Sequence, residues 1–529
     1  MPETVPNGPS DIATFDFSNL TAVSPRASTE ISALVFNPGA ATYTFTPKPG
    51  RVLKISNSGI SNNSGQRQTF VTTVDRIGRH AEVSFSHSAS AGSETVFLNN
   101  GSGFPGGATN FFDGSSAGRG MFTNFGGGVY GGLTRFFGSS TAADGAFTNR
   151  EAGAPLGGAG HTEFFDTATA GRASFVNLPG TTNLVFGGSV LFNDRSSAAE
   201  SLITSTGADA IFAGGGATSF NDFSSAGQAV VIAHGGSAAG ATTFFMGNAT
   251  AGDATLIADS TPAQSSGGLI TFQEFSTGGT ARIQLFARGT LDLGFRFNPA
   301  LTIGSLQGDG VVHLGSNHLL IGSNNLDTQF AGMIDGAGSI TKSGSGQLIL
   351  SNASSYTGGT FLEEGKLLSA CQLGSATGSG PVQVNHGTLG GIGRIDGKVM
   401  VGNGIEAGAS LSPGLDDASP DTLLLQRSLT FLTFSTCALS LNSTIGAADK
   451  LIARGVTIGS DAVISFTDAG AGTIALGTVF PIIINTAPTP IAGSFSNLVD
   501  NSVFTLNGNS FLVSYEGGDG NDLTITVVP

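Results

Sequence analysis

The chain has 529 residues and a net charge of −15, and only 11% of its residues are charged, about half of the ~25% usual in globular chains. Gly and Pro together make up about 19%, below the roughly 25–30% that marks low-complexity disorder. With 39% apolar residues, 39 of them Phe and none Trp, the chain can bury a large core, which excludes disorder as its main state.

The charge pattern excludes further classes. Lys is absent between Lys54 and Lys342, and cations are not clustered along the chain; counterion displacement from a nucleic acid needs such clusters, so no nucleic-acid partner is expected. The longest apolar run, Val479-Phe480-Pro481-Ile482-Ile483-Ile484, is far short of the ~18 residues of a membrane span, so none is expected in this chain. Met1-Pro2-Glu3-Thr4 opens without a basic stretch and an apolar run, so a signal peptide is not expected here. Cys371 and Cys437 stand far apart in the sequence. They make neither a disulfide framework nor a metal knuckle; two buried thiols are the simpler reading, although spacing alone leaves pairing open.

In chain order, residues 1–65 read as an opening segment or cap. Residues 66–290 hold a Phe- and Gly-rich repeat. Phe111-Phe112-Asp113-Gly114-Ser115-Ser116-Ala117-Gly118 returns as Phe164-Phe165-Asp166-Thr167-Ala168-Thr169-Ala170-Gly171 and as Phe220-Asn221-Asp222-Phe223-Ser224-Ser225-Ala226-Gly227. A second half-motif recurs as Phe122-Thr123-Asn124, Phe147-Thr148-Asn149 and Phe175-Val176-Asn177. Anchoring on the Ala-Gly slot gives Gly92, Gly118, Ala143, Gly171, Ala199, Gly227, Gly252 and Gly279, a nearly even series with one slot per ~27 residues. Apolar residues alternate within each unit, as in Val83-Ser84-Phe85 and Met121-Phe122-Thr123, which is strand spacing. Two or three short strands with tight turns in ~27 residues make one coil of a parallel β-helix, whereas a propeller blade needs ~40 or more. The expected fold is all-β, a single long parallel solenoid with one such coil per repeat or slightly less.

Coils are expected to continue through 291–335, a distinct motif to occupy 336–369, more coils to follow through 370–415, and 416–529 to form a β-rich closing segment. The motif opens with Gly336-Ala337-Gly338-Ser339-Ile340-Thr341-Lys342-Ser343-Gly344-Ser345-Gly346-Gln347-Leu348-Ile349-Leu350-Ser351. It continues with Ser355-Tyr356-Thr357-Gly358-Gly359-Thr360 and Glu364-Gly365-Lys366-Leu367. It closely resembles the passenger-associated transport repeat, the autotransporter-associated β-strand repeat of bacterial surface proteins. Leu389-Gly390-Gly391-Ile392-Gly393 and Leu411-Ser412-Pro413-Gly414 resemble the segments that follow such a repeat. The stretch from Leu34-Val35-Phe36-Asn37 to Gly59-Ile60-Ser61-Asn62-Asn63-Ser64-Gly65 and the closing Tyr515-Glu516-Gly517-Gly518-Asp519-Gly520-Asn521-Asp522 resemble the usual start and end. The resemblance implies a right-handed β-helix, secreted or held at the outer surface of a Gram-negative-type bacterium.

Two parts that such proteins carry are not recognised. Nothing after Asp421 has the strand length or aromatic content of a translocator barrel. The ending Val527-Val528-Pro529 looks like the start of a short sorting segment, so a mature-like fragment is expected.

Candidate chemistry is sparse. Gly101-x-Gly103-x-x-Gly106 fits a dinucleotide fingerprint but lacks a following helix, so it reads as a Gly-rich corner. Gly365-Lys366-Leu367 lacks the rest of a phosphate loop. His80, His87, His161, His234, His313, His318 and His386 show no metal spacing, and His313 and His318 read as exposed turn residues. Asp113, Asp166, Asp194 and Asp222 recur in step with the repeat, as carboxylates on neighbouring coils of a polysaccharide lyase or hydrolase would. Their turn position favours caps on their own backbone instead, and no catalytic residue is assigned. Gly517 to Ile525 fits a calcium-binding nonapeptide once, with Asp519, Asn521 and Asp522 as candidate ligands. Such sites need a neighbouring repeat, so a terminal turn is preferred and no cofactor is expected. The expected function is a non-enzymatic rod, adhesin-like or a display passenger, meeting a surface ligand such as a glycan or another cell surface; the alternative is a carbohydrate-active β-helix enzyme.

Overall fold

The computed structural model describes residues 5–102, 105–416 and 419–529. Met1-Pro2-Glu3-Thr4, and Gly103 of the Gly101-x-Gly103-x-x-Gly106 pattern, lie outside the described residues. The chain divides into two compact units, one up to Phe297 and one from Asn298 onward. Both are parallel β-solenoids, and no helix occurs among the described residues.

In the first unit, one sheet stacks short strands such as Ala108–Phe111, Leu133–Phe136, His161–Phe164 and Ser189–Phe192. A second sheet stacks Ala146–Asn149, Ser174–Asn177 and Leu202–Ser205. Pairing is parallel and in register, with Phe136 on Phe164, Phe147 on Phe175 and Phe164 on Phe192. A third line of single bridges links Ser90, Ser116, Thr141, Thr169, Ser197, Ser225, Thr250 and Thr277. Each lies just before an anchor of the sequence repeat, so the repeat is the structural coil. All eight anchors have left-handed backbone, including Ala143 at φ 49° and Ala199 at φ 50°. Gly fits that corner at no steric cost, whereas the two Ala residues hold it against a penalty of roughly 1–2 kcal/mol each.

Two Phe ladders fill the interior. Phe85, Phe111, Phe136, Phe164, Phe192, Phe220, Phe245 and Phe272 stack with ring centroids 4.6–4.9 Å apart. Phe45, Phe70, Phe97, Phe122, Phe147 and Phe175 form the second, at 4.7–4.9 Å. This spacing is the separation of hydrogen-bonded strands, so backbone pairing and ring stacking are satisfied together. The ladders also meet edge to face, as at Phe111 and Phe122 (5.8 Å).

Strand alternation turns Asn inward beside Phe, which creates a buried polar ladder. Asn99 donates to Asn124 (2.9 Å), Asn124 to Asn149 (2.8 Å), Asn149 to Asn177 (2.8 Å) and Asn177 to Ser205 (3.0 Å). Thr109, Thr134 and Thr162 donate to the amide oxygens of Asn99, Asn124 and Asn149 at 2.9 Å. The amides therefore carry no unmet polarity into the core.

In the second unit coil length varies, beginning with shorter coils. Ile340 pairs with Thr360, and Thr360 with Val382, both closer in sequence than partners in the Phe repeat such as Phe136 and Phe164. Parallel stacking persists into the segment expected to close the chain, through the pairing of Thr436–Asn442 with Val463–Asp468. The final strands, Val503–Leu506, Asn509–Gly517 and Asp522–Val528, pair antiparallel. Cys371 and Cys437 are both buried and free.

Deletion should follow the coil. Removing residues 144–171 excises one coil, including Ala146–Asn149 and His161–Phe164, and should leave a soluble protein with an unchanged β-type circular dichroism spectrum. Removing residues 144–156 leaves half a coil, breaks the ladders and should aggregate. Equal behaviour of the two deletions would contradict the coil assignment.

Candidate binding surfaces

The recurring carboxylates form a capping ladder rather than a catalytic pair. Asp113, Asp166, Asp194 and Asp222 are exposed, with φ between 53° and 57°. Each carboxylate accepts a backbone N–H from the equivalent turn of the preceding coil: Asp113 from His87 (3.0 Å), Asp166 from Gly138 (2.8 Å), Asp194 from Asp166 (2.9 Å) and Asp222 from Asp194 (3.1 Å). Glu274 serves Gly247 in the same manner at 2.8 Å. The expectation of caps on their own backbone is corrected. The left-handed turn directs the side chain along the stack, where the N–H one coil earlier is within reach.

The remaining sequence candidates disperse. Gly101 and Gly106 face the backbone of the next coil so closely that a Cβ on Gly106 would lie 1.9 Å from the Gly131 carbonyl oxygen, which makes this a packing corner. Gly365 turns the chain into the strand Lys366–Ser369. His313 and His318 lie in strands, not turns, because they continue the stacked sheets of Val311–His313 and His318–Ile321. His313 pairs with Asp335 at 2.9 Å, and His318 sits between the hydroxyls of Ser339 (2.7 Å) and Thr341 (2.8 Å). His234 meets Asp259 at 2.8 Å and His386 meets Glu406 at 3.0 Å. Among the described residues, no group of three or more His, Cys, Asp or Glu is arranged to hold a metal ion.

Asp519 and Asn521 lie on the turn of the terminal antiparallel hairpin, and Asp522 opens its second strand opposite Gly517. Asp519 is exposed, Asp522 accepts the Asn485 N–H at 2.8 Å, and the Asn521 amide donates to the Ala487 carbonyl at 2.5 Å. Two of the three thus tie the hairpin to the end of Val479–Asn485.

Two surface features are not visible in the sequence alone. In the first unit, Leu156, Leu184 and Phe212 occupy equivalent loop positions with φ of 57°, 60° and 57°. Their backbones are linked by N–H donation from Leu156 to Leu184 (2.8 Å) and from Leu184 to Phe212 (3.2 Å). They are 68%, 42% and 74% exposed, so bulky apolar side chains face water from backbone that such residues rarely adopt. In the second unit, Arg394, Lys398, Arg427 and Arg454 line one groove of about 670 Å³. Cations scattered along the sequence therefore do cluster in space. Their one trace in the sequence is spacing, since Arg394, Arg427 and Arg454 recur at intervals near one coil.

The 336–369 motif shows why its residues occur together. Tyr356 is fully buried with its hydroxyl 2.6 Å from that of Thr360, and Thr360 in turn donates to the Thr377 carbonyl. Lys342 is 2% exposed. Its Nζ donates to the carbonyls of Ser343 (2.7 Å), Gly344 (2.6 Å) and Glu364 (3.2 Å), and burial pulls the ammonium pKa down to about 8. The family model of the passenger-associated-transport-repeat matches residues 340–368. The chain carries a passenger-associated transport repeat. Over 107 residues the chain is 35% identical to the adhesin BmaC autotransporter of Brucella suis biovar 1 (strain 1330), a match that covers 20% of this chain and 3% of that protein. The crystal structure of the Haemophilus influenzae Hap adhesin aligns over 96% of this chain and 64% of that one, at 11% identity and a TM-score of 0.33, too low to argue from. The chain thus spans a small fraction of the curated relative that it matches.

Two measurements test this account. Asp194→Ala removes the cap on Asp166 and puts Ala in a left-handed turn, so it should lower stability in urea unfolding by about 1–2 kcal/mol, while Asp194→Asn should recover most of the loss. His161, packed against the Ser189 hydroxyl at 2.6 Å, has its imidazole pKa pushed down by burial to about 4. Its folded value lies below the unfolded ~6.5, so stability is lost as pH falls from about 6.5 to about 4. The carboxyl of Glu163, raised by burial, acts in the opposite sense. The difference between wild type and His161→Gln across that window isolates the His161 contribution.

Proposed function

We propose that the chain is a non-enzymatic, adhesin-like passenger that works at a cell surface or after release from it. On this reading the stacked coils are a hydrated scaffold, and its exposed loops and grooves meet a surface ligand. The carrying observation is the passenger-associated transport repeat at 340–368, folded as in-register coils within the stack. The local identity to an autotransporter adhesin supports the same reading. The carbohydrate-active alternative receives no comparable support, since the recurrent carboxylates are spent on turns. No cofactor is part of the proposal. The Asp519, Asn521 and Asp522 turn is proposed to be structural, so calcium should shift thermal unfolding little.

The test is retention without turnover. The purified chain, presented to a glycan array, to matrix proteins and to whole cells, should be retained by at least one surface. Incubation with a panel of polysaccharides should release no new reducing or unsaturated ends. Turnover of any polymer, or absence of retention on every surface, would overturn the proposal.

A further inference from the structure

We propose that the groove lined by Arg394, Lys398, Arg427 and Arg454 binds a linear anionic polysaccharide, carboxylated or sulfated. This deepens the surface-binding reading above and rests on it.

Charge singles the groove out. Lys and Arg are rare from Asn298 onward, only seven in all, yet four of them line this one groove, with Asp396 the only carboxylate in the lining among the described residues. In a chain of net charge −15, such a concentration makes a local positive field against a negative background. Chance scatter of so few cations over the unit's surface does not produce it.

Strand pairing brings cations of three successive coils together. Ile395 pairs with Leu425 and Leu425 with Ala453, so the corner segments that follow, carrying Lys398, Arg427 and Arg454, stack on one another. Arg454 donates its backbone N–H to the Arg427 carbonyl at 3.2 Å, and Val399 donates to the Ser428 carbonyl at 2.9 Å. Arg427 and Arg454 therefore lie about one coil rise, ~4.8 Å, apart along the stack, and the coil before them contributes Arg394 and Lys398 to the same groove. The floor beneath them is fixed. A Cβ on Gly397 would lie 1.9 Å from the Gly380 carbonyl oxygen, and the Gly455 N–H donates to the Asn485 side chain at 3.0 Å. Positive charges supplied by three successive coils suit a polymer with a repeated anion better than a single small anion.

The cations are also available to a ligand. Arg394 donates its Nε to Asp396 at 2.5 Å, which orients the guanidinium and leaves its terminal nitrogens for an anion. Lys398, Arg427 and Arg454 are exposed. No ion pair holds any of the three among the described residues.

The neutral lining selects the polymer. Ser379, Gln426 and Ser428 offer hydrogen bonds suited to sugar hydroxyls. No aromatic ring is among the lining residues, so the stacking platform of a single-stranded nucleic acid is missing. Ala487 is the only apolar residue in the lining, which leaves an acidic peptide without an anchor pocket.

The experiment uses the full chain, with polygalacturonate and heparin as carboxylated and sulfated probes, dextran as the neutral control and poly-dT as the nucleic-acid control. Binding is followed by titration calorimetry at low and at roughly sixfold higher salt. One or both anionic polysaccharides should bind, dextran should not, and the higher salt should weaken binding at least tenfold. Arg427→Gln/Arg454→Gln should weaken it at least tenfold with an unchanged melting temperature, whereas Arg119→Gln/Arg195→Gln, remote in sequence, should not. Independently of any variant, polymer should protect Arg427 and Arg454 of the wild-type protein from phenylglyoxal. The proposal is overturned by equal affinity of the groove variant, by absence of protection, or by tighter binding of poly-dT. Wild-type protein that adheres to cells yet binds neither polysaccharide would sink the groove and leave the adhesin reading standing.

Discussion

Everything in this protein depends on the fixed rise of the parallel backbone ladder. Hydrogen bonding between coils sets strands ~4.8 Å apart, and any side chain repeated at the coil period is then stacked on its own kind at that distance. Phe profits because parallel rings reach contact there, with centroids 4.6–4.9 Å apart in the longest ladder. Asn profits because one amide donates to the next, at 2.8 Å between Asn124 and Asn149. A side chain unable to bond or pack with a copy of itself has no place inside such a stack. That constraint explains a composition rich in Phe, Gly and Asn and poor in charge.

The same rise governs the surface. Like charges stacked one coil apart repel, and the exposed turn acids avoid an unbroken column because Gly138 and Gly247 interrupt the series. Each acid also finds a backbone N–H of the coil before it. In the cationic groove Asp396 engages Arg394, whereas no ion pair ties Arg427 or Arg454 among the described residues. The contrast separates charge that the fold consumes from charge that it leaves available.

How much is legible in the sequence follows from how regular the coils are. In the first unit the anchors from Gly92 to Gly279 mark a corner whose bridges fall at the same offset on every coil, so architecture and period can be read directly. The half-motif Phe122-Thr123-Asn124 is equally visible, and alternation places Asn124 on the inner face with Phe122; the Asn ladder follows from the same alternation. In the second unit coil length varies. Val401 stacks on Val384 after a short coil, yet Phe431 stacks on Val401 after a much longer one. No constant period can then place Lys398 and Arg427 in one groove, and the groove stays hidden until register is known. The direction of the Asp caps is hidden for another reason. A repeat shows that a turn residue recurs, not whether it serves its own coil or a neighbour.

That direction makes the turn ladder a one-way dependency. The N–H of Asp166 gains its carboxylate partner only once Asp194 is in place, and that of Asp194 only once Asp222 follows. Each coil with an acid at this turn finishes the one before it, and the glycine turns at Gly138 and Gly247 break the chain of dependence. A stack that grows from its N-terminal side locks its completed coils as later ones dock, so growth resists backsliding. Peeling from the C-terminal side reverses the order, uncapping one turn at a time.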